Sequence, residues 1–230
     1  AGCSGRTAVD LDIAATAQYV LEDIYFKILN HAHRLAGSSN LCISGGVALN
    51  ALANGKLYER TPFTHAYILG PAGDSGGALG AALYAAHNLC GQAKREELRD
   101  LRLGSSYSNG EIESVLNEKQ GVLCQKIEDE NKLLQAAARM LQDGKVIGWF
   151  QDRMEFGPRA LGARSILARP YPRSMKHRVN EIKVRERFRP FAGSILEEYV
   201  HEYFSVPGAG HHSPFMNFCF SVIPKRREEI

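Results

Sequence analysis

The sequence predicts an α/β protein in two parts, and three observations carry that prediction. Two short apolar runs each enter a glycine-rich turn and then a helical stretch, giving two β-turn-α units in succession. A polar tract over residues 91–110, rich in Gly and Ser at its end, then breaks the pattern as linkers do. Beyond it a helix and a buried-looking strand lead into a cationic stretch, residues 150–194.

The elements follow in order. Residues 8–36 carry Ile13, Ala17, Val20, Ile24, Ile28, His31 and Leu35 at spacings of three and four. That predicts a long helix with this face turned to the core. His31 and His33 fall on different faces and read as surface or packing histidines. Residues 41–43 predict a strand, 44–46 a tight turn and 47–58 a helix. A glycine turn at a helix start offers backbone N–H groups to phosphate, though many α/β proteins turn this way with no ligand. Residues 66–69 predict a second strand, 70–77 a turn and 78–87 a helix of small residues. Asp74 stands where that helix begins. It reads equally as its N-cap or as a ligand to a divalent cation or a nucleotide hydroxyl beside phosphates. Gly76, Gly77 and Gly80 would let backbone approach a ligand or another helix. The charge run 94–102 reads as a solvated helical face.

Past the boundary, residues 109–118 predict a helix and 122–127 a strand. Residues 128–142 predict an amphipathic helix with Leu133, Leu134, Ala137, Met140 and Leu141 on one side, ended by Gly144. Residues 146–150 predict a buried strand. Then come a helix at 175–182, extended chain at 191–196, a helix at 197–204, a loop at 207–214 and a final strand at 215–222. His211 and His212 in that loop lack acidic or Cys partners and read as non-ligating.

Composition narrows the function. The apolar fraction of 44% and charged fraction of 23% are ordinary for a soluble globular protein. No apolar run is long enough to cross a membrane, and the first residues lack a signal-peptide layout, so a cytoplasmic location is expected. The five cysteines are scattered, form no CxxC pair and read as plain thiols. The whole chain is only +3, yet residues 151–190 hold nine Arg and two Lys against four carboxylates, a local net of +7. Arginine presents a planar fork that takes phosphate or carboxylate oxygens in pairs, so the stretch predicts a pocket for a small, heavily charged anion. Arg169, Arg173, Arg178 and Arg187 read as surface ion pairs of little energetic weight.

With both parts in view, the sequence resembles the NodU/CmcH-type carbamoyltransferases, which form O-carbamoyl groups on sugars and antibiotic scaffolds. The likeness rests on SGGVALNALANGKL and GPAGDSGGALGAAL in the first part. In the second it rests on GWFQDRMEFGPRALGARSILA, KVRERFRPFAGSILEE and SPFM. The string MEFGPRALGxRSI is long and idiosyncratic. Gly193 stands where the family usually has proline.

The resemblance implies an α/β fold: residues 1–100 as the end of an actin/hexokinase-like ATPase domain, and 101–230 as an incomplete YrdC-like α+β domain. It implies that carbamoyl phosphate and ATP give carbamoyl adenylate, whose carbamoyl group passes to an acceptor hydroxyl of a sugar or natural product. Gly45, Gly46 and Asn50 match the nucleotide-binding turn, with Gly76 and Gly77 in the second turn. Asp74 matches the aspartate that holds a divalent metal (iron, zinc or magnesium) near the phosphates. Lys183, Arg185 and Arg189 match the segment that grips carbamoyl phosphate and ATP. Arg159 is a further anion contact and Arg164 a weaker candidate. The family's two metal-binding histidines from an HxxxH segment have no counterpart here, so the chain is expected to hold part of each active site and to have little activity by itself. No membrane partner is expected, and a homodimer is compatible with the reading. The rival reading is a nucleotide- or RNA-binding module related to YrdC-like transfer-RNA-modification proteins, without carbamoyl transfer. Against it, Phe150, Phe156, Phe188 and Phe191 stand in apolar-looking contexts rather than on a stacking surface.

Overall fold

The computed structural model describes residues 7–92, 94, 97–207, 213–227 and 229. The chain divides into two compact units, Ala1–Leu98 with Ser194–Glu228, and Arg99–Gly193 with the last two residues.

The first unit begins with α1 (Ala8–Ala36). Thr7 and Asp10 form a reciprocal capping box at its start, and Gly37 closes it in the left-handed conformation, donating its N–H to the His33 carbonyl. Strand β1 (Asn40–Ile43) pairs in parallel with β2 (His65–Ile68), in register from Asn40 opposite His65 to Ile43 opposite Ile68. The connection between them is a 3₁₀ turn at Gly46–Leu49, then α2 (Ala51–Gly55) and α3 (Leu57–Arg60). The single helix predicted for 47–58 is thus three short pieces. Asn50 accounts for the first break, because its side chain accepts from the Ala53 N–H at 3.1 Å and starts a new helix. After β2 come α4 (Gly76–Tyr84) and a π turn at Ala85–Leu89.

The core of this unit corrects the predicted face of α1. Tyr25, Phe26 and Leu29 are buried with Ala53, Leu57 and Phe63, whereas Ile13, Val20, Ile24, Ile28 and Leu35 are exposed. Apolar residues occur on both sides of α1, so periodicity does not choose between them. The aromatic pair offers the larger area to bury. His33 is a packing residue, edge-on to Phe63 with ring centres 5.2 Å apart.

A second correction concerns residues 194–228, assigned from sequence to the second domain. They pack with the first unit. Asn217 donates to the Ile68 and Leu69 carbonyls, each at 3.1 Å, and its own carbonyl accepts from Asn54 at 2.8 Å. The Cys219 N–H reaches the Ala51 carbonyl, and Phe218 stacks on Tyr58. The strand predicted at 215–222 is reduced to one bridge, Phe204 to Val222, because this chain spends its backbone and amide groups on α2 and β2. The helix expected at 197–204 is a 3₁₀ turn at Glu197–Tyr199 running into α5, here Val200–Tyr203. The histidines at 211 and 212 lie outside the described residues.

The second unit holds α6 (Asn109–Glu118), with a Ser108–Glu111 capping box, and α7 (Glu130–Gln142). It continues with β3 (Ile147–Phe150) paired antiparallel to β4 (Arg164–Leu167), then α8 (Ser174–Ile182). Strand β4 lies inside the cationic stretch and was not predicted, since Arg164 and Ser165 mask a strand pattern. Residues 122–127, predicted as a strand, form none, and Leu123 is fully exposed. Leu133, Leu134 and Met140 of α7 are likewise exposed rather than packed. The described part of the run 94–102 is not helical. Arg102 instead bridges Asp100 and Asp152.

Candidate functional site

In the first unit, the two predicted glycine turns come together. The Gly45 N–H and the Ser44 hydroxyl both donate to the Ala72 carbonyl, at 2.8 and 3.3 Å. A Cβ on Gly73 would lie 3.9 Å from the Gly46 Cα. Gly45 needs its freedom, at φ 105°. Gly76 has a different task from the one predicted: a Cβ there would stand 2.1 Å from the Pro71 carbonyl oxygen, so glycine lets the turn fold tightly before α4. Gly46 and Gly77 face open space.

Asp74 is exposed and is not the N-cap of α4. Ser75 takes that position, without a side-chain cap. Of the two local readings, the cap is therefore excluded. Asn50 is occupied, bonding Gln18 at 2.9 Å while it starts α2. No group of three or more His, Cys, Asp or Glu side chains that could hold a metal occurs among the described residues. Asp74 offers a single carboxylate, and one carboxylate is far short of the oxygen shell that a divalent cation takes.

In the second unit, the cationic stretch forms two loops. The first joins β3 to β4. Glu155, 5% exposed, sits at its centre. Its Oε1 accepts from the N–H groups of Leu161 at 3.0 Å and Ala163 at 2.5 Å, and its Oε2 lies 3.4 Å from the Arg164 Nε. Arg164 also donates to the Gly157 carbonyl at 2.8 Å. Gly157 and Gly162 take φ values of 120° and 115°, which lets the loop wrap one carboxylate. Arg159 is half-buried in this loop. Arg164 is thus a structural partner of Glu155.

The second loop follows α8 and carries Lys183, Arg185 and Arg189. Asn180, fully buried, donates from its amide to the carbonyls of Arg187 at 3.2 Å and Arg189 at 3.0 Å. Its Oδ1 accepts from the Arg185 Nε. Arg185 also reaches the Pro190 carbonyl at 3.2 Å and lies 4.3 Å over the Phe191 ring. Arg189 pairs with Glu186 at 2.7 Å and Arg187 with Glu181 at 2.5 Å. Lys183 is exposed and makes no ion pair among the described residues. Arg169 and Arg178 serve the fold, donating to the Gln142 and Gly144 carbonyls at the end of α7.

Sequence reading brought Arg185 and Arg189 into one loop, and the structure keeps them there. It missed Glu155 and Asn180, whose residue types are usually exposed. The one available signal for Glu155 was an acid set among so many cations. The aromatics differ from expectation: Phe150, Phe188 and Phe191 are 57%, 51% and 44% exposed. Strand β3 is only four residues long and presents alternate side chains outward.

Comparison with known proteins gives a consistent result across both units. The family model described as carbamoyltransferase N-terminus matches residues 3–83, and that described as carbamoyltransferase C-terminus matches residues 138–230. The chain is 43% identical to nodulation protein NolO of Bradyrhizobium diazoefficiens, over 92% of this chain and 38% of that protein. It is 42% identical to nodulation protein NolNO of Sinorhizobium fredii, over 94% of this chain and 32% of that one. Nodulation protein U of Azorhizobium caulinodans is 36% identical over 88% of this chain and 34% of its own length. The chain thus spans about a third of the length of these curated relatives.

Proposed function

The chain belongs to the carbamoyltransferase family, and from that premise we propose that it serves O-carbamoylation driven by carbamoyl phosphate and ATP. In this reading carbamoyl phosphate, ATP and water yield carbamoyl adenylate, phosphate and pyrophosphate. The carbamoyl group then passes to a hydroxyl of a sugar or natural product, with AMP leaving. The second unit, in the YrdC-like role, makes the adenylate. The first, in the ATPase-like role, binds nucleotide phosphates at the joined glycine turns of Gly45, Gly46, Gly76 and Gly77.

One observation carries the proposal: a loop that presents Lys183 beside an Arg185 already fixed in orientation. Two polyanionic substrates repel each other, so the site must supply fixed positive charge where phosphates meet. Preorganised cations do this without reorganising during the reaction, and holding both substrates replaces an encounter by a local step. Arg189 would share its guanidinium between Glu186 and substrate. Arg159 would add a contact from the Glu155 loop. Asp74 would supply one oxygen ligand to a divalent cation, which would offset phosphate charge. A lone carboxylate does not hold that ion, so no step is derived through it.

Calorimetric titration of the chain with ATP and with carbamoyl phosphate tests the reading. Binding of either, lost in Lys183→Ala, supports it. In turnover, Lys183→Ala is expected to cost about 2–4 kcal/mol of transition-state stabilisation, read as pyrophosphate exchange dependent on carbamoyl phosphate. Exchange unchanged in that variant removes Lys183 from the site.

The exposed Phe150, Phe188 and Phe191 on the cationic unit favour a second reading, a single-stranded RNA surface on which bases stack. Competition separates the two. Low-millimolar carbamoyl phosphate blocks a small-anion pocket and leaves a long RNA groove nearly untouched.

A further inference from the structure

We infer that Asn180 is the positioning residue of the cationic loop, setting the direction of Arg185 and the path of residues 187–189 toward the anionic substrate. The inference rests on the reading of this loop as the carbamoyl phosphate and ATP site, and deepens it by naming what orients the cations.

A primary amide offers two N–H donors and one carbonyl acceptor. Asn180 uses all three on one loop: the donors on the Arg187 and Arg189 carbonyls, the acceptor on the Arg185 Nε. It does so from a fully buried position near the end of α8, flanked by the buried Val179. The loop bends around this amide. Val184 takes a positive φ of 50°, and the Arg185 N–H returns to the Asn180 carbonyl at 3.1 Å.

The consequence falls on Arg185. Its Nε is held by Asn180, its Nη2 by the Pro190 carbonyl, and its face by Phe191. Its Nη1 makes no hydrogen bond among the described residues, and the side chain stays part-exposed. A guanidinium gripped along one edge and stacked on a ring has lost its rotamer freedom before an anion arrives, so binding need not order it. A simple surface arginine has no such arrangement. Aspartate at position 180 would keep the acceptor for Arg185 but turn an oxygen toward two carbonyls. Leucine would keep the volume and lose all three bonds.

The test compares wild type, Asn180→Asp, Asn180→Leu and Arg185→Lys. It reads carbamoyl phosphate and ATP affinity by calorimetry, with circular dichroism and thermal melts reporting folding. The expected result is a loss of at least about tenfold in carbamoyl phosphate affinity for Asn180→Asp, equal to about 1.4 kcal/mol, with the fold retained. Arg185→Lys keeps the charge and cannot make both edge contacts, and it should lose a similar factor. The double variant, Asn180→Asp with Arg185→Lys, should lose little more than either alone, because both changes break one linkage. Full affinity in folded Asn180→Asp, or losses that simply multiply in the double variant, overturns the inference while the site reading stands. If Asn180→Leu fails to fold, the aspartate and lysine variants still decide. No binding of either ligand to folded wild type overturns the site reading and this inference with it.

Discussion

The two units solve the same problem by different means. In the first, large side chains are packed: Tyr25, Phe26, Leu29, Leu57 and Phe63 form a continuous apolar cluster, and a smaller one gathers Ala48, Ile68 and Ala72. In the second, the buried apolar residues are only Leu101, Ala163, Met175 and Val179 among those described. Two buried polar side chains, Glu155 and Asn180, stand where the loops need holding. Hydrophobic burial is non-directional and fixes elements against one another. A buried amide or carboxylate is directional, and it fixes a loop whose side chains must stay in water. A surface that has to present cations cannot be built from apolar contacts, because these would cover it.

That contrast can be broken, beginning with the largest effect. Leu57→Ala empties a site with no solvent exposure and should cost about 2–5 kcal/mol by urea unfolding. A loss well below that range would mean the first unit relies less on its apolar cluster than on polar links such as Asn54 and Asn217. Glu155→Leu should cost about 1–3 kcal/mol, since it strands the Leu161 and Ala163 N–H groups. Glu155→Gln, which keeps an acceptor, should recover part of the loss. If the leucine variant were neutral or more stable, the second unit would be held by burial after all.

The smallest effect is a pH dependence in the first unit. Burial pushes the Glu22 carboxyl up. Hydrogen bonds from Gln18 and Lys56 and the charges of Lys56 and Arg60 outweigh it, leaving the group below its ordinary value. Its contribution is therefore present above the ordinary glutamate range and disappears as pH falls through the lowered folded value. Glu22→Gln should remove about 1 kcal/mol at neutral pH and flatten the acid side of the stability curve. An unchanged acid limb would show that Glu22 carries no linkage. On the same helix, Tyr25 donates to Asn54 at 2.8 Å, and burial pushes its hydroxyl up to about 12.

Much of this was legible. The two β-turn-α units, the break near residue 100, α6, α8 and the loop carrying Lys183, Arg185 and Arg189 all follow from local signals: glycine placement, capping residues and charge. What was not legible has one physical origin. The apolar lines of α1 and α7 satisfy the helical period, yet Ile13, Ile24, Leu133 and Leu134 are exposed, because period identifies a face without saying what covers it. The run at 215–222 has strand composition, yet it is spent on Asn54, Ala51 and β2 through partners as far as 163 residues away.

By itself, then, the sequence determined which segments are helical or turning, where cationic charge collects and to which family the chain is similar. Those properties depend on neighbours a few residues apart. Only the tertiary structure decided which polar groups are buried, that Glu155 and Asn180 hold the two loops, that Asp74 is not a helix cap, and that residues 194–228 return to the first unit. Burial and hydrogen-bond partnership depend on what the chain brings together in space, and no local pattern encodes that distance.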